Sequence, residues 1–259
     1  MLLHFSARLD ESDTHDSSIY TVVGGAVATL SQWDGLEEAW RRLLNVSKID
    51  QFHYKDFEAR RGDFEGWKTF ACQRFLKKVQ KVIDQNVCFR VAVAIDPEVH
   101  ADVKRRMKGI KGFRADSDYG LCLRWLLNQS CEILKQRVGD DFTMSVIVED
   151  GPYSSGAAEL FHRLRRMTGG KRPAMYSSKY RDFAVLGKES QSLQVADAIV
   201  GIEADHFGHG FHSGRNRLAV RLNKEILEAW YGLMMDKKEK QRAYAASKRA
   251  NVAKGSQVS

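Results

Sequence analysis

The sequence predicts an α/β chain in which strands and helices alternate. Three observations lead there: β-branched runs with alternating polarity, amphipathic stretches with helical spacing between them, and a length of 259 residues with 43% hydrophobic content, enough for a sizeable core. With 20 Gly, only 3 Pro and no Gly-X-Y period, the composition excludes collagen-like and low-complexity classes, and 43% hydrophobic content argues against a disordered chain.

Leu3, Phe5, Ala7 and Leu9 alternate with polar neighbours, which predicts a strand ending at Asp10 and Glu11. The turn-rich SDTHDSS then leads into IYTVVGGAVATL, a β-branched run expected to pair with the first strand as a hairpin. Gly24–Gly25 inside that run suggests a bulge. A helix starts at Ser31, with Trp33, Leu36, Trp40, Leu43 and Leu44 on its apolar face. The segment FHYKDF (52–57) reads either as a short strand at the sheet edge or as part of a cleft, with a structural role preferred. A second helix follows over about Gly66 to Gln85, and VCFRVAVAI forms a third strand.

Residues Pro97 to Asp118, containing KRRMKGIKGFRADSD, read as an exposed basic loop or insertion. Beyond them YGLCLRWLLNQSCEILKQRV has helical spacing, FTMSVIVEDG is a buried strand ending in two carboxylates, and a helix runs from about Ala157 to Met167. A β-prone pair, AMYSS and RDFAVL, precedes a helix beginning near Ser190 with LQVADAIVGIEAD, and a last helix covers roughly Leu218 to Met235. No internal repeat is visible. The organisation is thus one domain over 1–235 and a basic, flexible tail over 236–259.

The chain has 41 basic and 33 acidic residues, a formal charge of +8 and a pI of about 9.3, which suits a polyanionic partner or simple solubility. The tail alone has seven basic residues against two acidic ones, so five of the eight surplus charges lie outside the domain. The four cysteines, Cys72, Cys88, Cys122 and Cys131, form no C-x-x-C pair and read as reduced core thiols. No signal sequence or membrane-length apolar run is seen, so the expectation is a soluble, cytoplasmic protein with no membrane partner.

Chemistry is suggested by carboxylates set against the apolar pattern. Asp10 and Glu11 end the first strand, Glu149 and Asp150 end a later one, and Asp197 interrupts an apolar helix, sharing a face with Leu193, Val200 and Ala204. An isolated buried carboxylate must pair, lose its charge or bind a cation. Each alone reads most simply as a cap or as a partner for an Arg. Together they suit hard divalent cations, two of which, about 3.5–4 Å apart, would clamp a phosphodiester during in-line displacement.

Three stretches in this order, LDESD, FHYKDF and LQVADAIVG, resemble the domain-of-unknown-function 3800 family over most of the chain to Gly201, leaving out the tail. The resemblance implies a ribonuclease H-like fold with a mixed central sheet flanked by helices, here with an inserted basic loop. It implies a divalent-metal-dependent nuclease acting on nucleic acid, with RNA or an RNA–DNA hybrid favoured over DNA, and Mg²⁺ or Mn²⁺ as cofactor. Carried over by position, Asp10 and Asp197 become metal ligands and catalytic residues, joined by Glu149, Asp150 or both, since strand neighbours face opposite ways. Glu11 and Gln194 are candidates to support them. Asp13 stands where a glycine often follows DES in the family. The alternative is an inactive nucleic-acid-binding or partner-binding protein on the same fold.

Two basic stretches are candidates to meet a phosphate backbone or to form a solvated face: Lys104, Arg105 and Arg106 in the expected loop, and Arg163, Arg165, Arg166, Lys171 and Arg172 after the acidic pair. His206, His209 and His212 form H-x-x-H-x-x-H, with Gly208 and Gly210 favouring a loop, and are candidates for a transition-metal site or for surface histidines. There is no G-x-x-x-x-G-K-[ST] and no G-x-G-x-x-G, which disfavours nucleotide-hydrolysing and dinucleotide-binding domains.

Overall fold

A computed structural model describes residues 2–12, 19–108, 115–167, 176–209 and 216–234. The tail, residues 13–18 with Asp13, and Lys171, Arg172, Gly210 and His212 lie outside the described residues. The α/β expectation holds, and the sheet is mixed and six-stranded.

Strands β1 (Leu3–Ser12), β2 (Thr21–Thr29) and β3 (Phe89–Ile95) form an antiparallel meander. On one side of it β4 (Phe142–Glu149) runs parallel to β1, and β5 (Tyr180–Leu186) parallel to β4; on the other, β6 (Arg217–Leu222) runs parallel to β3. The order is β5-β4-β1-β2-β3-β6. The near-continuous burial of β2 and β3 reflects helices on both faces of the sheet centre.

Phe5, Ala7 and Leu9 of β1 face one layer, formed by α4 (Pro97–Met107), α5 (Asp118–Val138), α6 (Ser154–Arg166) and α8 (Lys224–Met234). The opposite layer holds α1 (Leu30–Ser47), α2 (Tyr54–Ala59), α3 (Thr69–Asn86) and α7 (Gln191–His209). Helix α1 buries the five apolar residues its spacing predicts and starts with a capping box between Thr29 and Gln32. The indole N–H of Trp33 donates to the carbonyl of Ser6 at 3.0 Å, and the Arg8 guanidinium lies 4.3 Å from the Trp33 ring centre.

Several expectations are corrected. Residues 97–107 are a helix, not a loop: Asp96 caps it through the N–H groups of Glu98 and Val99, Pro97 occupies the first turn, and His100 and Val103 are buried. Only 109–114 of that stretch lie outside the described residues. The supposed last helix is a strand, β6, followed by a shorter helix, because Arg217, Ala219 and Arg221 share the alternating pattern of an edge strand beside β3. Ser177–Lys179 is a 3-10 turn leading into β5, not a strand of its own.

Gly24–Gly25 is no bulge, since the β1–β2 register runs unbroken through it. Gly25 has φ of +153°, and a Cβ there would lie 2.0 Å from the Arg8 carbonyl oxygen. Helix α7 continues through Gly208 to His209, so the glycine there does not break it. The four cysteines are free thiols, with Cys122 and Cys131 fully buried. Among the described residues, no helix is long and apolar enough to cross a membrane.

Candidate functional site

Parallel pairing of β1 with β4 sets Leu9 beside Val148, so the next residues, Asp10 and Glu149, end adjacent strands about 4.8 Å apart on one face. Helix α7 packs across that face and brings Asp197 to the same place. Asp10, Glu11, Glu149 and Asp197 line one cleft of about 580 Å³. Asp150 lies outside it: exposed, it receives a long 3.5 Å contact from the Ser154 hydroxyl at the start of α6, while its N–H pairs with Leu186. Strand alternation thus selects Glu149 from the acidic pair.

The cleft is electrostatically costly. Asp10 is only 8% exposed, and burial holds its carboxyl well above the usual carboxylate range; the charges of Asp197, Glu149 and Glu11 push the same way. One bond opposes them, from the Glu11 N–H to Asp10 Oδ1 at 2.8 Å. Burial, then the charge of Glu149, raises Glu11 to about 7.

FHYKDF turns out to build a wall of the cleft as well as the core. Phe52 and Phe57 bury into an aromatic cluster with Trp40, Phe64 and Phe75, and Tyr54 packs on both. The backbone is clipped to α7 at two points: the Phe52 N–H donates to Gln194 Oε1 at 3.1 Å, and the Tyr54 N–H to Asp197 Oδ2 at 2.8 Å. Gln194 also accepts from the Trp40 indole N–H at 3.4 Å, so it braces the segment and, among the described residues, bonds none of the carboxylates. Tyr54 lies flat on Gly201, where a Cβ would come within 2.1 Å of its ring, and its hydroxyl donates to Asp205.

His53 stands at the entry of α2, with Nδ1 3.6 Å from Asp197 Oδ2, a charge contact too long for a strong hydrogen bond. Asp197 raises the imidazole's pKa against the effect of burial. From the loop after β5, Lys188 Nζ reaches Glu149 Oε1 at 3.3 Å, which raises the ammonium's pKa in turn. Neither contact was legible in the sequence. Lys55, Asp56, Glu58 and Asp205 complete the charged lining.

The described residues of the two basic stretches do not line the cleft. Lys104, Arg105 and Arg106 form the last turn of α4 and pair with carboxylates of their own layer: Lys104 with Asp118 at 3.2 Å, Arg105 with Asp102 at 3.5 Å, and Arg106 with Asp102 at 3.0 Å and with Glu228 at 2.5 Å. Arg163, Arg165 and Arg166 end α6 without lining the cleft, and Arg163 joins Arg124 on Asp116. His206 and His209 belong to the end of α7.

The hard oxygen donors of Asp10, Glu11, Glu149 and Asp197 are of the type Mg²⁺ and Mn²⁺ take, and a cation would relieve the repulsion on Asp10. Among the described residues, no three His, Cys, Asp or Glu side chains already stand as a finished metal cluster. Compared with protein-family models, curated proteins and solved structures, the chain matches none of them.

Proposed function

We propose that the chain is a divalent-metal-dependent nuclease of ribonuclease H-like architecture, hydrolysing phosphodiester bonds in RNA or RNA–DNA hybrids, as its resemblance to the domain-of-unknown-function 3800 family implies. The observation that carries the reading is the meeting of Asp10, Glu149 and Asp197, from β1, β4 and α7, in one cleft where Asp10 is buried among like charges. The antiparallel β1–β2–β3 meander with β4 and β5 parallel to β1 supports the architecture.

In this reading Asp10, Glu149 and Asp197 would hold Mg²⁺ or Mn²⁺, with Glu11 beside them. When bound, the cation neutralises the phosphodiester's charge and makes water a stronger nucleophile. The chain's own residues do the rest. The Tyr54 N–H fixes Asp197 Oδ2, while Asp197 holds His53 toward the cleft and biases it to its cationic form. His53, Lys55 and Lys188 set positive charge beside the acidic centre, where a phosphate backbone needs it.

The test is cleavage of labelled RNA, hybrid and DNA with Mg²⁺ or Mn²⁺. Asp10→Asn and Asp197→Asn should each lower the rate about a hundredfold or more, a loss of several kcal/mol of charge stabilisation. Unchanged cleavage in both variants refutes the site, and no cleavage of any substrate with either metal refutes the activity. The second reading, a protein that binds nucleic acid without turnover, is favoured by the unfinished ligand geometry and by Lys188 already contacting Glu149. Retained binding without cleavage would select it.

A further inference from the structure

We infer that the groove between α1 and α3 binds single-stranded nucleic acid, as a platform separate from the acidic cleft. The groove, of about 470 Å³, is lined by Val46 and Ser47 at the end of α1, by 66–68, and by Phe70, Ala71, Arg74, Phe75 and Lys78 of α3. Its three charged lining residues, Lys68, Arg74 and Lys78, are all cationic. A groove of that charge, with no acidic group among the described residues of its wall, suits a polyanion.

The apolar part of the lining narrows the class. Phe70 is 68% exposed and Val46 79% exposed, although α3 buries Val79 and Ile83 on its other side. Phe70 is therefore not demanded by the core. The Arg74 guanidinium sits 5.7 Å from the Phe70 ring centre, pairing a flat apolar face with a flat cation. Trp67 is held edge-on against Phe64 at 5.4 Å and Phe75 at 5.5 Å, which makes that wall rigid. An exposed ring beside Arg and Lys is what an unpaired base and its phosphates need together: each base offers a π-face, and each phosphate a charge. A duplex keeps its base faces stacked inside and offers the rings nothing. An acidic polypeptide would use the cations and leave the flat faces unexplained.

The groove also lies in the same helical layer as the cleft. Phe64, Phe75 and Phe57 belong to one aromatic cluster, so the wall of the groove and the α2 wall of the cleft are packed together. A strand seated on Phe70 and Arg74 would bind the layer that carries His53 and Asp197, although binding here does not depend on the cleft being catalytic.

Fluorescence anisotropy with a labelled 15-nucleotide oligo-U and a labelled 15-base-pair duplex, on the full chain with Asp10→Asn as background to prevent cleavage, tests the assignment. Phe70→Ala should weaken oligo-U binding about tenfold while changing duplex binding less than twofold. Phe70 and Arg74 are exposed, so folding is not at risk, and matching melting temperatures would verify it. Arg74→Gln with Lys78→Gln should weaken binding and reduce the slope of log K against log salt by about 1.4. Unchanged oligo-U affinity in both variants overturns the inference. So does an equal loss on the duplex, equal competition by poly-glutamate, or a dimer in the parent that Phe70→Ala dissociates. If the variants lose oligo-U binding but the chain cleaves nothing, the groove stands and the nuclease reading falls; active cleavage with unaltered binding gives the reverse.

Discussion

Replacing Glu11 with Gln should stabilise the metal-free protein at neutral and alkaline pH. Glu11 shares the end of β1 with Asp10, and burial together with the charge of Glu149 raises it from 4.5 to about 7. A carboxyl that binds its proton more tightly when folded favours folding at low pH. The unfolded chain releases that proton from about pH 4.5 upward, whereas the folded chain keeps it until about 7. Stability therefore falls across that window and the full penalty stands above it. At about 1.4 kcal/mol per tenfold change in proton affinity, the penalty is roughly 3 kcal/mol as an upper bound, because Glu11 keeps some contact with water. Asp10, also raised, and His53, whose raised pKa likewise favours the folded state at low pH, push in the same direction. Glutamine keeps the size and removes the titration. In EDTA at pH 8 the Glu11→Gln protein should melt about 5–10 °C above wild type, since 1 kcal/mol is worth about 2–4 °C in a domain of this size. The two melting curves, followed by circular dichroism, should converge as pH falls toward 5. Millimolar Mg²⁺ should narrow the gap at pH 8 by stabilising wild type more. Equal melting temperatures at pH 8, or a gap of the same size at pH 5, would refute the electrostatic reasoning.

Two further substitutions test how the wall of the cleft is held. Gly201→Ala drives a methyl into the Tyr54 ring and should cost about 1–3 kcal/mol in urea denaturation, despite alanine's better helix propensity, with cleavage falling as Tyr54 and Asp197 move apart. Gln194→Leu strands the buried Phe52 N–H and loses the Trp40 contact, so it should cost about 1–3 kcal/mol in the same assay.

What the sequence made legible follows from period and burial. Alternation in β1 and the helical spacing of α1 were readable because each has one apolar face, and the α/β class follows from them. Helix α4 was missed because its charge density outweighs its two buried residues, His100 and Val103, although Asp96–Pro97 is a usable start signal. β6 was absorbed into the following helix because a six-residue edge strand beside an amphipathic run carries little periodic signal. Asp10, Glu149 and Asp197 stood out as acids against an apolar pattern, and the structure brings them to one cleft. His53 was visible only as part of FHYKDF, a segment read as edge strand or cleft, and Lys188 and Asp205 not at all, because nothing local says that His53 will meet Asp197, Lys188 Glu149, or Asp205 the Tyr54 hydroxyl. The ion pairs of Lys104, Arg105, Arg106 and Arg163 with Asp102, Asp116, Asp118 and Glu228 were not legible either, because charge counting treats each residue as independent.

The fold keeps Asp10 buried although its surroundings oppose the charge, and the arrangement of α2 explains how. A carboxylate free to move would turn toward water; here pairing with Gly24 on β2 fixes its backbone, and its neighbour Leu9 is paired with Val148 on β4. Asp197 is fixed by the Tyr54 N–H, Tyr54 by Gly201 and the aromatic cluster, and that cluster by Gln194. Apolar burial of Phe52, Phe57, Phe64 and Phe75, each worth about 1.5–3 kcal/mol, is large enough to offset a penalty of a few kcal/mol in the cleft. The aromatic cluster and the acidic cleft are therefore one device. Loosening the cluster should relax the repulsion by letting the carboxylates separate, so a variant such as Gln194→Leu should lose cation affinity as well as stability.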